Sequence, residues 1–312
     1  MSNPPPPYVS AEQCREVLTP LDVVERVRTA LEWDAAGAIH WPQPRSLNIA
    51  PDKWGNDYHM KACVLEEIPV AGLRIVSHPL DESSPQCTRL ILLVDPATAL
   101  PLALVDESWN YVQRTVASIA MAAHSVANPD AANLTVVGAG RLAETGAQYY
   151  ASLFDLDRVT VVSRTPARRD AMADRLRAEL GVEVVTQDSV REAVEGADLV
   201  LTATSSSAAV IEEAWVKPGA TVACVGTAEP GAALVERSDL FVVDSPDQLR
   251  KELVELYGAE APGWITASVG EVVTGAHPGR TDPSQRALII TEGMASQDIA
   301  LAYLAYQRVI AS

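Results

Sequence analysis

The sequence predicts an α/β protein whose second half contains a doubly wound parallel sheet. After residue 128, short apolar runs alternate with helical patterns several times. A glycine-containing turn, "GAGRLA", joins the first of these runs to the helix that follows it. Strands that alternate with helices are typical of a parallel sheet covered by helices on both faces. Before residue 128 the pattern differs, which indicates a second α/β region.

Composition narrows the class of protein. The chain has 312 residues, 48% of them hydrophobic, which suits two domains with ample cores. The net charge of −17 argues against a nucleic-acid partner, because basic surfaces bind phosphate backbones. No apolar run is long enough to span a membrane, and the first residues lack a signal-peptide pattern, so we expect a cytoplasmic protein. The scattered cysteines predict buried thiols and no metal site; they are Cys14, Cys63, Cys87 and Cys224.

The first region combines helices with a predicted sheet. Two amphipathic helical patterns open the chain, and Thr19 with Pro20 supplies a cap and a first-turn proline for the second. From Asp57 to about Val105, four short β-branched runs are broken by Pro and Gly, as strands are. A long alanine-rich helix follows and ends before Asn128, where we predict a domain boundary.

The glycine turn has the form of a dinucleotide-binding loop. Gly138, Gly140 and Ala143 form G-x-G-x-x-A between an apolar strand and a helix, which is the context that this motif requires. The first glycine permits the turn, the second lets the backbone approach a pyrophosphate, and a small third residue permits close packing. We therefore predict a Rossmann-type domain with the pyrophosphate at the helix N-terminus. The predicted cofactor site includes the intervening Arg141 and Leu142.

The end of the second strand indicates which dinucleotide binds. NAD enzymes usually carry Asp or Glu there, but this chain has Ser163, Arg164 and Thr165, followed by Arg168. A carboxylate would repel a 2′-phosphate, whereas arginine and hydroxyl groups bind one. NADP(H) is therefore the preferred cofactor, and NAD(H) is the alternative if Arg164 is a solvated surface charge. The predicted cofactor site also includes Thr204 and Gly226.

Motifs along nearly the whole chain are similar to those of one family. They include "PQPR", "AGLRIVSHP", "WNYVQRTVAS", "VVGAGRLAETGAQ", "SRTPAR", "VKPGATVACVGTAEPG", "GAHPGRTD" and "GMASQD". In these motifs the chain resembles the ornithine cyclodeaminase and mu-crystallin family.

The resemblance implies a Rossmann-type nucleotide domain, residues 128–287, inserted in an α/β substrate-binding and dimerisation domain. That domain would comprise residues 1–127 and be completed by residues 288–312, a strand and a helix expected to pack back on the N-terminal part. The resemblance also implies a homodimer and a small anionic imino- or amino-acid substrate. Family members include cyclodeaminases, ketimine reductases, alanine dehydrogenases and synthases that join two amino acids.

Three arginines are candidates for binding the substrate's carboxylate. Arg45 and Arg114 fall on the family's two substrate-binding arginines, and a guanidinium fits a carboxylate bidentately. Either arginine could instead be a structural ion-pair partner. Arg74 stands where most members have a lysine close to the reacting carbon. Arginine does not deprotonate in proteins, so we predict an electrostatic or carboxylate-binding role for Arg74.

A second departure from the family concerns the residues that would transfer a proton to or from the substrate's nitrogen. The family's aspartate that handles the amine proton in the cyclodeaminase is replaced by Ala228, and Glu229 beside it is either a substitute or an exposed loop carboxylate. His59 and Lys61 lie at alternate positions, therefore on one strand face, and cationic neighbours would help either to release a proton. An imine that arrives protonated would need no such donor. Asp298 either caps the last helix, touches the site, or both.

The intact nucleotide loop and the altered deaminase residues favour an NADPH-dependent reductase of an imino acid. Its product would be an amino acid or an N-substituted amino acid. Two alternatives stay open: an ornithine- or lysine-type cyclodeaminase that recycles bound NAD, and a non-catalytic protein that binds a nucleotide or small ligand.

Overall fold

The computed structural model describes residues 5–50, 56–79 and 87–312, and the chain forms two compact units. Unit 1 runs up to Arg114 and resumes at Gly293, whereas unit 2 is Thr115–Glu292. The boundary between Arg114 and Thr115 therefore falls inside the alanine-rich helix, whereas the predicted boundary, at residue 128, lies after that helix. Each unit is described by itself below.

The elements of the described residues follow the α/β pattern. The strands are β1 (Tyr8–Val9), β2 (Ile39–His40), β3 (Ser46–Ile49), β4 (Asn56–Leu65), β5 (Val70–Pro79), β6 (Thr88–Val94), β7 (Pro101–Asp106), β8 (Asn133–Val137), β9 (Arg158–Val162), β10 (Glu183–Gln187), β11 (Leu199–Thr202), β12 (Thr221–Cys224), β13 (Leu240–Val243), β14 (Ala267–Ser268) and β15 (Ala287–Ile290). The helices are α1 (Ala11–Val17), α2 (Pro20–Ala35), α3 (Asn110–Val126), α4 (Arg141–Leu153), α5 (Pro166–Leu180), α6 (Val190–Glu195), α7 (Ala232–Arg237), α8 (Pro246–Tyr257), α9 (Val269–Thr274) and α10 (Ala295–Ala311).

Unit 1 is built on a mixed sheet. Its strand order is β1-β7-β6-β5-β4-β2, with β3 also paired to β4, and β1 runs parallel to β7 while the other pairs are antiparallel. Helix α10 lies against β4, β5 and β6, and α1 and α2 contact α10. The four predicted strands are confirmed. β1, β2 and β3 were not predicted, since two to four residues are too few to show a period.

The two faces of this sheet differ in burial. The inner face, towards α10, carries buried side chains such as Lys61 and Arg74, which lie directly opposite each other on β4 and β5. α10 approaches β5 so closely that a Cβ atom on Gly72 would lie 2.5 Å from Cγ1 of Ile299, so only glycine fits. On the opposite face, here called the outer face, the side chains are exposed or half-buried. Its apolar members include Leu47, Ile49, Met60, Leu73, Ile75 and Leu92.

Unit 2 is built on an all-parallel sheet, which confirms the predicted doubly wound fold. Its strand order is β10-β9-β8-β11-β12-β15-β13-β14. The chain order reverses between β8 and β11. Open α/β sheets bind their ligands beyond the carboxyl ends of the strands at such a switch point. The glycine turn follows β8 and therefore lies at this edge.

One assignment from the sequence is wrong. The strand Ala287–Ile290 was expected to join the N-terminal part together with α10, but it lies between β12 and β13 in the parallel sheet. All four of its side chains are buried, as the interior strands of a parallel sheet require. Only α10, which follows it, belongs to unit 1.

Three further expectations concern surface and composition. No helix in the described part of the chain is long and apolar enough to cross a membrane. The described residues contain no cluster of His, Cys, Asp and Glu that could hold a metal ion. Three cysteines are buried as predicted, but Cys87, just before β6, is exposed.

Candidate active site

The turn after β8 is shaped for a dinucleotide. Gly138 has φ +123°, and a Cβ atom there would lie 2.4 Å from the carbonyl oxygen of Ala203, so no other residue fits. At Gly140 a Cβ atom would meet nothing within 4 Å, which leaves the backbone open to a ligand. Helix α4 then begins at Arg141 without a side-chain cap, and its first N–H groups can therefore bind a phosphate. Ala143 is fully buried where a larger side chain would crowd Gly138.

The ends of β8, β9 and β11 enclose a cavity of about 300 Å³. Most of the predicted cofactor residues line it, namely Gly138, Gly140, Ser163, Arg164, Thr165, Arg168 and Thr204. Arg141 and Arg168 border an adjoining groove, and Leu142 lies in the first turn of α4. No carboxylate occurs among the described residues that line the cavity. The residues that line the cavity and the adjoining groove fit a dinucleotide, with or without a 2′-phosphate.

The arginines after β9 divide into two kinds. Arg169 is mostly buried and pairs with Asp170 and Asp188, so its role is structural. Arg164 and Arg168 are exposed, and neither makes an ion pair within the described ranges. These two arginines lie beside one cavity in an otherwise acidic protein, and the pair is here called the arginine corner.

Glu229 is neither exposed nor free. Its carboxylate has no exposed surface, so the expectation of an exposed loop residue is wrong. Oε2 accepts hydrogen bonds from Thr202 Oγ1 and the Gly226 N–H, and Oε1 accepts them from the Thr204 N–H and hydroxyl, all at 2.7 Å. Glu229 thus ties together Thr204 and Gly226, two predicted cofactor residues. Four donors support a positioning role for this carboxylate.

Unit 1 contains a buried ion cluster of two arginines and two carboxylates, Arg74, Glu107, Arg114 and Asp298. Nε of Arg74 lies 2.8 Å from both oxygens of Glu107 and 3.4 Å from Oδ2 of Asp298. Nε of Arg114 donates to Oδ1 of Asp298 at 2.5 Å. All four side chains are at most 6% exposed. Asp298 therefore joins two of the three candidate substrate arginines, Arg74 and Arg114, and it does not cap α10.

Lys61 lies beside this cluster. Its ammonium donates to the carbonyl oxygen of Gly293 at 3.0 Å, and its strand position faces Arg74. A Cβ atom on Gly293 would lie within 2 Å of Nη1 of Arg114, so this glycine leaves room for the guanidinium. Lys61 thus adds a third positive charge beside the two arginines of the cluster. That charge suits one carboxylate of a ligand.

The other predicted site residues have separate surroundings. Arg45 packs over the ring of Trp41, 4.4 Å from its centroid, and lies 3.9 Å from Asp34. His59 contacts Asp57 at 2.9 Å. Two further residues of this region, Glu107 and Tyr111, were not predicted from the sequence. The ring of Tyr111 lies under three guanidinium groups. These are Arg74, Arg89 and Arg114, at 5.7, 3.9 and 5.2 Å from the ring centroid.

Comparison with known proteins places these groups in a family context. The model of the ornithine cyclodeaminase/mu-crystallin family matches residues 10–312. The chain belongs to this family. Ketimine reductase mu-crystallin from Mus musculus is 31% identical over 222 residues, which cover 69% of this chain and 68% of the mouse protein.

Two solved structures share the fold. Thermococcus litoralis Δ1-pyrroline-2-carboxylate reductase, solved with NADH and L-proline, is 25% identical with a TM-score of 0.90 and 97% coverage of both chains. An archaeal alanine dehydrogenase dimer with bound NAD has a TM-score of 0.89 at 22% identity, with coverage of 98% of this chain and 96% of that one, and shows the fold alone. The chain therefore belongs to the NAD(P)-dependent oxidoreductases of the imine-reductase and amino-acid-dehydrogenase type.

Removal of the Glu229 carboxylate tests its positioning role. Glu229→Ala leaves four donors without an acceptor, one of them buried and three half-buried, and we expect the unfolding free energy of unit 2 to fall by about 3 kcal/mol or more. NADPH affinity should fall as well, because Thr204 and Gly226 lose their common anchor. Denaturant unfolding and fluorescence titration measure the two effects. Glu260→Ala, at an exposed loop position, is the control and should change neither; an equally stable Glu229→Ala protein would contradict the role.

Proposed function

We propose that the protein is an NADPH-dependent reductase of an imino acid, which produces an amino acid or an N-substituted amino acid. One observation carries the proposal: Arg74, in the place of the family's lysine, is held as a permanent cation by Glu107 and Asp298. This arrangement retains charge for binding a carboxylate but cannot supply the proton chemistry of a cyclodeaminase. Membership of the family supports the part of the proposal that concerns reduction by a nicotinamide cofactor.

The preference for NADPH rests on the cavity of unit 2. Arg164 and Arg168 would hold a 2′-phosphate, with the hydroxyls of Ser163 and Thr165 as further donors. The absence of a carboxylate from the described lining removes the usual partner of the NAD ribose. The Gly140 turn and the N-terminus of α4 would bind the pyrophosphate. When bound, the reduced nicotinamide supplies a hydride for the imine carbon.

The residues of unit 1 would bind the substrate and provide the proton. Arg114 and Arg74 would hold the α-carboxylate, with Arg45 as the family's further arginine. Lys61 is the candidate donor of the proton to the imine nitrogen, because it is a buried ammonium directly opposite Arg74. His59, engaged with Asp57, is the weaker candidate.

A homodimer would cover the outer face of unit 1. Leu47 and Ile49 are each 51% exposed and Leu73 is 36% exposed, on a face whose other apolar members are half-buried. Contiguous exposed apolar surface of this kind usually marks an interface. A second copy of the chain is the occupant that the dimeric archaeal relative supports.

Turnover tests the proposed function. We expect imine-dependent NADPH oxidation with Δ1-pyrroline-2-carboxylate or with mixtures of a keto acid and an amine, followed by absorbance. Lys61→Met and Lys61→Arg should each lower kcat about 100-fold, since methionine has no proton to donate and arginine does not release one, whereas only Lys61→Met, which removes the charge, should also raise KM. Lys251→Met, at a position 87% exposed, is the control. Release of ammonia from ornithine or lysine without net NADPH oxidation would contradict the reductase.

Cofactor selectivity tests the arginine corner. Arg164→Ala/Arg168→Ala should weaken NADPH binding about 100-fold, because charge-assisted hydrogen bonds to the 2′-phosphate are lost, and change NADH binding less than threefold. Calorimetric titration with both nucleotides gives the ratio. Arg158→Ala, which breaks an exposed pair between β9 and Glu183 on β10, is the matched control. Equal losses for both nucleotides would contradict a role in 2′-phosphate recognition.

The dimer is tested on the outer face. Leu73→Glu places a charge in a proposed apolar interface, so we expect the sedimentation coefficient to change from that of a dimer to that of a monomer. Leu256→Glu, at an exposed leucine of α8, should leave the assembly unchanged. A wild-type protein that sediments as a monomer would contradict the interface.

A further inference from the structure

The partner of Arg74, Glu107, is a carboxylate for which the sequence predicts no role. Glu107 follows β7 directly and has no exposed surface. Besides the two contacts of Nε, Nη2 of Arg74 lies 2.6 Å from Oε1 of Glu107. Glu107 therefore takes one edge of the guanidinium, the edge formed by Nε and Nη2, and Nη1 points away from that edge.

Burial makes the two residues depend on each other. A carboxylate taken out of water without a partner loses its charge instead of paying the full desolvation penalty. Burial and the nearby Asp298 raise the pKa of Glu107, and Arg74 opposes this shift. Burial lowers the pKa of Arg74, but Asp298 and Glu107 outweigh it and raise that pKa above its usual range. Arg74 therefore keeps its positive charge, and its guanidinium stays in contact with the Glu107 carboxylate.

We propose that Glu107 is a positioning residue for substrate binding: it fixes the plane of the Arg74 guanidinium and presents the Nη1 edge to the substrate's carboxylate. The inference rests on the proposed function, because it assigns a carboxylate to that edge. The ring of Tyr111, 5.7 Å from the Arg74 guanidinium carbon, packs beside the same group. Asp298 is 3.4 Å from Nε and is shared with Arg114, so it holds Arg74 less firmly than Glu107 does.

The need for such a residue follows from the chemistry of arginine. A lysine ammonium is a compact charge that binds a carboxylate from many directions, whereas a guanidinium is a planar fork that binds well only in its own plane. A chain with arginine in the lysine position therefore requires a group that sets this plane. Glu107 contacts Nε with both oxygens and meets the requirement.

Glu107→Gln tests the proposal because it keeps the shape and removes the charge. We expect KM for Δ1-pyrroline-2-carboxylate to rise tenfold or more, kcat to stay within about threefold, and the Kd for NADPH to stay unchanged. Glu183→Gln, the same substitution in the exposed pair with Arg158, is the matched control and should alter none of these values. A folded Glu107→Gln protein with an unchanged KM would overturn the proposal.

A second background separates positioning from general support of the fold. In Arg74→Lys protein there is no fork to orient, so adding Glu107→Gln should raise KM less than threefold. An equal rise in both backgrounds would indicate a merely structural role and overturn the proposal.

Failure of the proposed function is distinguishable from failure of this inference. If the wild type turns over no imino acid, the proposed function fails, and calorimetric titration with L-proline then reports carboxylate binding directly. A tenfold weaker Kd in Glu107→Gln than in the wild type supports the positioning role without turnover. Equal affinities, or no binding by the wild type, overturn it.

Discussion

The removal of four charges from water is the constraint on which unit 1 depends. The buried ion cluster joins β5, the segment after β7, α3 and the first turn of α10, so its members come from four separate parts of the chain. Buried charges stabilise a fold only when every partner is present, since one missing member leaves an uncompensated charge. The sheet, the first residues of α3 up to Arg114, and α10 must therefore meet in one arrangement within unit 1. The same charges give unit 1 its capacity to bind an anion.

Unit 2 also contains a buried carboxylate, Glu229, which is held by uncharged hydrogen-bond donors. Glu229 accepts hydrogen bonds from the last residue of β11 and from residues that follow β11 and β12, and these donors, two of them backbone N–H groups, take the place of an arginine. Tyr257 supports the same loop, since its hydroxyl donates to the carbonyl oxygen of Thr227 at 2.6 Å. The edge of the parallel sheet is thereby held in shape around the cavity. Rigid support of this kind positions a cofactor without contacting it.

The predictable features are those whose causes are local in the sequence. The glycine turn, the parallel sheet and the arginines after β9 each follow from neighbouring residues. Glu107 could not be predicted as the partner of Arg74, because 33 positions separate the two, and "GTAEPG" resembles a surface turn because the donors to Glu229 lie up to 27 positions away. The prediction that β15 belongs with the N-terminal part was wrong for a similar reason. An apolar run indicates a buried strand but does not indicate which sheet receives it.

The close packing of α10 on Gly72 has a consequence for how the protein is made. Unit 2 is one continuous stretch of chain, so it can fold on the ribosome as soon as Glu292 has emerged. Unit 1 is synthesised first yet lacks α10, and with it Ile299 and Asp298, until unit 2 has been completed. During that interval α10 does not cover the inner face of the sheet, and Arg74 and Arg114 lack one of their counter-ions. The part of unit 1 that precedes unit 2 is therefore translated before it, but cannot complete its native contacts until α10 has followed.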